Sequence, residues 1–96
     1  MSEILSIAIF EPLAEIGEAA LGTVRELSRA LTTGGYSRDS FYRDAKSGQY
    51  VVLRYWRSEE ARRAALEDPA VLRCWAKLAQ EVRIISVIET LEDQGV

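Results

Sequence analysis

Arg54 stands among apolar residues in the segment QYVVLRYWRSEEA at residues 49–61, and a guanidinium in such company is where chemistry could start. Strand alternation puts Tyr50, Val52, Arg54 and Trp56 on one side and Val51, Leu53 and Tyr55 on the other. If the first side faces a core, Arg54 needs a partner, because buried Arg is rare unless paired. That partner is either a helix carboxylate, Glu15 or Glu18 for instance, or an anionic group on a ligand; the structural pair is the commoner outcome. In the ligand case Arg54 would stabilise an enolate-type anion while a Tyr hydroxyl assisted proton transfer, which makes Arg54 and Tyr50 the catalytic candidates. Trp56 could wall an aromatic ligand by stacking, although a Trp at a strand end is more often simple core. Ser6 and Ala8 share one face of an N-terminal strand, where small side chains leave room for a cavity or merely accommodate a helix. Trp75, on the inward side of a later helix, completes the binding candidates.

Other residue types narrow the chemistry by their absence. The chain has no His and no Asn, which excludes His–Cys zinc sites, Ser–His–Asp or Cys–His catalysis and histidine ligation of haem. No metal site is expected. Cys74 is the only cysteine, so no intrachain disulfide can form, and a small buried or interface side chain is its ordinary reading. Glu59 and Glu60 are adjacent on a predicted helix and face different directions, so favourable interaction with the helix dipole explains them better than acid–base work. A net charge of −3 gives no electrostatic reason to expect nucleic acid. The opening MSEILSIAIFEP has no basic region, and its apolar run is too short to span a bilayer. A cytoplasmic protein with no membrane partner is the expectation.

The elements that must position these residues follow from periodicity. Residues 4–10 (ILSIAIF) read as a strand closed by Glu11-Pro12, the proline suiting the first turn of a helix. Leu13, Ile16, Ala20, Val24, Leu27 and Leu31 then form one stripe of a long amphipathic helix, with Gly17 and Gly22 accounted for by a close crossing over the sheet. Thr32-Thr33-Gly34-Gly35 ends it. A polar strand at 36–43, fit for a sheet edge, turns at 44–48 into the apolar strand that ends at Trp56. Ser58 caps a helix over 59–66, and Asp68-Pro69 restarts one running to about residue 80 with Val71, Leu72, Trp75, Leu78 and Ala79 inward. In the last strand, 82–91, Val82, Ile84 and Ile88 point one way and Ile85, Val87 and Leu91 the other.

The order βαββαβ predicts a single α+β domain across residues 1–96, a ferredoxin-like sandwich with a four-stranded antiparallel sheet and its helices on one face. The other face would carry Val51, Leu53, Tyr55, Ile85 and Val87, too apolar for water. A chain of this size has a thin core, so two copies are expected to pair these faces as a homodimer forming a dimeric barrel. The competing outcome is a monomer whose second face is screened by long side chains such as Arg57 and Arg83.

This pattern resembles the antibiotic biosynthesis monooxygenase family of dimeric α/β barrels. An apolar third strand ending in Trp56, then Ser58-Glu59-Glu60-Ala61 opening a helix and the Asp68-Pro69 restart, carries the likeness. The resemblance implies a pocket between sheet and helices, a homodimer and, in members that are enzymes, oxidation of polycyclic aromatic substrates by O₂ without metal or flavin, or haem degradation. It carries over Trp56. The Asn and His that accompany this Trp in those branches have no counterpart here, and VLRCW at residues 71–75 offers no metal ligand where the haem-degrading branch has its His. A cofactor-independent monooxygenase acting on a hydrophobic aromatic or ketide-like molecule is therefore one expectation. A noncatalytic module binding an apolar small molecule, or a structural dimer of the same fold, is the other.

Overall fold

The computed structural model describes residues 3–96, arranged as β1 (Ile4–Pro12), α1 (Glu18–Thr33), β2 (Ser37–Arg43), β3 (Tyr50–Trp56), α2 (Glu59–Ala65), α3 (Pro69–Ala79) and β4 (Val82–Glu92). The strands form one antiparallel sheet in the order β2-β3-β1-β4, the ferredoxin-like α+β arrangement. Polar β2 lies at an edge, as its composition requires.

Two helix starts follow their capping residues. Ser58 accepts from the Ala61 N–H at 3.0 Å to open α2, and Asp68 accepts from Ala70 N–H at 2.9 Å with Pro69 in the first turn of α3. The start of α1 departs from the stripe that begins at Leu13. Pro12 extends β1 opposite Val82, residues 14–17 make turns, and the helix opens five residues later than that stripe. Gly17 is the reason: it takes φ 56°, a left-handed value that a glycine adopts without cost and that interrupts a helix. Gly22 needs no such account, since a Cβ there would meet nothing within 4 Å; the close crossing expected at these glycines is absent. At the far end the Tyr36 N–H donates to Leu31 O and the Gly35 N–H to Thr32 O, a Schellman closure in which Gly35 supplies φ 73°.

The helices bury one sheet face in two clusters. Phe10, Ala20, Val24, Val52 and Val82 form the first; Leu27, Leu31, Trp56, Ala65 and Val71 form the second. In α3, Val71 is fully buried while Trp75 and Leu78 are half-buried, but Leu72 and Ala79 turn outward.

Directly opposed residues of paired strands share a face, so register assigns both sides of the sheet. Ile4, Ser6, Ala8 and Phe10 lie opposite Trp56, Arg54, Val52 and Tyr50 on the helix side; Leu5, Ile7 and Ile9 lie opposite Tyr55, Leu53 and Val51 on the outer side. Along β4 the simple alternation fails. Two register shifts, between Leu5 and Ile7 and between Ile9 and Phe10, add residues to β4 and reverse its faces. Val87 therefore pairs with Ala8 on the helix side, and Ile88 with Ile7 on the outer side. This corrects the outer-face assignment of Val87 and the joint placement of Ile84 with Ile88.

Candidate functional site

The two core clusters do not close completely. Between them lies a cavity of about 610 Å³, walled by the helix side of β1, β3 and β4 and by all three helices. Its β1 wall is low because Ser6 and Ala8 stand where neighbouring positions carry large side chains. Ser6, Ala8, Arg54, Trp56 and Trp75 all line this space. Tyr50 does not: it stacks with Phe10 at 5.9 Å and tilts against Phe41 at 5.6 Å between ring centres, forming an aromatic cluster with them.

Trp56 is nearly buried, and its indole N–H donates to Ser6 Oγ at 3.0 Å. The Ser6 hydroxyl in turn donates to the Glu89 carbonyl at 2.6 Å. That carbonyl sits at the β4 bulge opposite Ser6, where ladder pairing lapses, and it also accepts from Arg62 Nη1 at 2.9 Å. Arg62 is held at its other edge by Glu59 at 2.8 Å, so α2 is tied to β4 beside the cavity.

Arg54 has its carboxylate, but from β2 and not from a helix. Its Nε donates to Asp39 Oδ1 and Oδ2 at 3.0 and 3.1 Å, and its Nη2 to Oδ2 at 2.9 Å. Glu15 and Glu18 are both exposed and form no ion pair with it. Asp39 also accepts from Ser28 Oγ of α1 at 2.6 Å and from Ser37 Oγ at 3.2 Å. Arg54 Nη1 donates to no protein acceptor among the described residues, and the guanidinium carbon lies 5.8 Å from the centre of the Trp56 ring.

Trp75 reaches the cavity from α3, whose first turn is fastened by Asp68. That carboxylate accepts from the Tyr36 hydroxyl at 2.8 Å, and this bond lowers the Asp68 pKa from its ordinary value and raises that of Tyr36. Asp39, Ser28 and Arg62 escaped the sequence reading. For Asp39 a signal existed: a hairpin closing at Arg43 and Tyr50 puts Asp39 and Arg54 opposite each other, each four residues from the turn. Ser28 and Arg62 depend on how the helices dock, which no local pattern encodes.

Among the described residues no group of three or more His, Cys, Asp or Glu side chains gathers where it could hold a metal ion. No helix of the structure is long and apolar enough to cross a membrane.

No protein-family model matches the chain, and no curated protein matches it. Solved structures do. A conserved Bacteroides thetaiotaomicron protein of unknown function superposes with TM-score 0.83 at 12% identity, over 96% of this chain and 98% of that one. A candidate antibiotic biosynthesis monooxygenase from Chloroflexus aurantiacus gives 0.79 at 17% identity, over 99% and 97%. SnoaB, a cofactor-independent oxygenase from Streptomyces nogalater, gives 0.77 at 15% identity, over 98% of each. Likeness at these identities speaks for architecture and leaves chemistry to the side chains. The chain has the α+β ferredoxin-like fold of the antibiotic biosynthesis monooxygenase-like proteins.

Proposed function

We propose that this protein is a homodimer that takes a hydrophobic small molecule, aromatic or ketide-like, into the cavity between sheet and helices and oxidises it with O₂ as a cofactor-independent monooxygenase. The observation that carries this reading is the cavity itself: a largely apolar space of ligand size, with Trp56 as a flat wall and one arginine edge left free for a substrate oxygen. In such chemistry an electron-rich substrate is its own reductant. A ring CH₂ loses two hydrogens, one oxygen atom of O₂ becomes its carbonyl and the other leaves as water, so no further electron source is needed. Arg54 Nη1 would donate to the substrate oxygen on which charge develops.

The outer sheet face supports the dimer. Leu5, Ile7, Ile9, Val51, Leu53 and Ile88 make it apolar at its centre, and ion pairs stand at two of its borders, Arg38 with Glu3 and Arg83 with Glu11. Arg38 also covers Tyr55, its guanidinium carbon 4.0 Å from the ring centre. An apolar middle with a charged rim is the anatomy of an interface.

A second reading, noncatalytic ligand binding, is favoured by how the carboxylates at the site are engaged. Asp39 is committed to Arg54 and Glu59 to Arg62, which leaves Glu89, an exposed residue of β4, as the lining carboxylate without an ion pair among the described residues. Native mass spectrometry of protein purified from its own host, followed by an oxygen electrode with any ligand released, separates the possibilities. A species of twice the chain mass carrying an adduct that Arg54→Ala loses supports the site, and O₂ uptake on adding that ligand supports the oxygenase. An adduct without uptake supports the binder. A monomer without adduct sinks both.

A further inference from the structure

We infer that Asp39 sets what the cavity accepts: by cancelling the charge of Arg54 it makes the site select a neutral ligand bearing a ketone-type carbonyl over a carboxylate of the same shape. The inference rests on the cavity being a ligand site and names the class of molecule it takes.

A lone guanidinium in an apolar wall would draw an anion, since a buried charge without a partner is costly and any counter-charge relieves it. Here that relief is already supplied from inside the protein. The Arg54 and Asp39 side chains are only 13% and 4% exposed, and the carboxylate is fastened by hydroxyls from α1 and from its own strand, Ser28 and Ser37. It is a fixed part of the fold rather than a placeholder that a ligand would displace. A ligand carboxylate would bring a second negative charge to one cation and leave behind its own hydration.

The rest of the lining points the same way. Arg62 and Arg63 both pair with Glu59, and Glu89 adds a second carboxylate to the lining, so with Asp39 bound to Arg54 three cations stand beside three anions and the cavity shows no surplus of either sign. What remains to a ligand is hydrogen bonding. Arg54 Nη1 is an unused donor, and a guanidinium donor still strengthens its bond as charge grows on a carbonyl oxygen during reaction. A neutral ground state with charge appearing later is the situation in which such a donor accelerates chemistry instead of only tightening binding.

Two probes of nearly equal shape test this: 2-acetylnaphthalene, a neutral ketone, and 2-naphthoate, its anionic counterpart, each titrated calorimetrically into the full-length protein and into Asp39→Asn. The wild type is expected to bind the ketone more tightly. Asp39→Asn, which keeps the side-chain volume but uncovers the Arg54 charge, is expected to move the ratio of the two Kd values toward naphthoate by about tenfold or more. A merely structural loss would weaken both probes together and leave the ratio alone. An unchanged ratio in the variant overturns the inference, as does naphthoate binding as tightly as the ketone to the wild type, which decides the matter if the variant does not fold. Binding of neither probe to the wild type overturns the cavity reading along with it; binding of both with the wrong preference overturns only this inference.

Discussion

Arg54 with Asp39 and Arg83 with Glu11 are the same chemical pair set on opposite faces of one sheet. Each joins directly opposed residues of neighbouring antiparallel strands. The first lies under α1, with side chains 13% and 4% exposed; the second lies at the border of the outer face, 65% and 37% exposed. Identical groups and identical register thus serve unlike ends. Water screens the outer pair and leaves it little energetic weight, while the inner pair is a commitment the fold must honour at every step.

The comparison breaks or holds on three measurements. Asp39→Ala leaves Arg54 uncompensated and is expected to cost about 3–5 kcal/mol in urea unfolding, whereas the joint change Asp39→Leu with Arg54→Met should recover most of that loss. A cost below about 1 kcal/mol for the single change would erase the distinction between the two pairs. Tyr36 and Asp68 form an intermediate case, a single hydrogen bond to a carboxylate. Because folding lowers the Asp68 pKa, its contribution is present at neutral pH and lost as pH falls through the folded value; because folding raises that of Tyr36, its contribution is lost as pH rises through the folded value. The melting-temperature advantage of wild type over Tyr36→Phe should therefore be widest between these limits and shrink toward acid and toward alkali. A difference flat across pH would remove the bond from the account. The smallest effect is expected from Glu11→Ala, about 0–1 kcal/mol, vanishing in high salt when the same unfolding curve is repeated there.

The sequence disclosed the elements better than their phases. Ser58 and Asp68-Pro69 announce helix starts because capping is a local hydrogen bond between neighbours in the chain, and the same is true of the Gly35 closure of α1. Leu13 and Ile16 fit the stripe of α1 yet lie outside the helix, since periodicity is blind to the backbone turn that Gly17 takes. In β4 the apolar residues identify a strand, but two bulges alter which side each one faces, and a bulge is a property of the pairing with β1, invisible in either strand read alone. The site shows the same division. Alternation put Arg54 with Trp56, and Ser6 with Ala8, but left open which face of the sheet meets the helices; the β1–β3 register joins the two sets, Asp39 required the hairpin register, and Ser28 and Arg62 required the docking of helices that only the whole fold defines.

The β4 bulges also bear on how this chain can change. Val87 and Ile88 are neighbours in sequence, yet one edges the cavity and the other belongs to the outer face. Losing one residue at Val87 or Ile88, ahead of the bulge opposite Ser6, would exchange those assignments as far as the bulge, handing a cavity side chain to the outer surface or the reverse, whereas the extra residue at the bulge itself can be lost without it. Substitutions can tune the two surfaces separately, but length changes in β4 outside a bulge must be judged by both at once. Lineages of this fold that alter what they enclose through β4 should therefore do so by side-chain replacement at Ile84 and Val87, with the strand's residue count outside the bulges held constant.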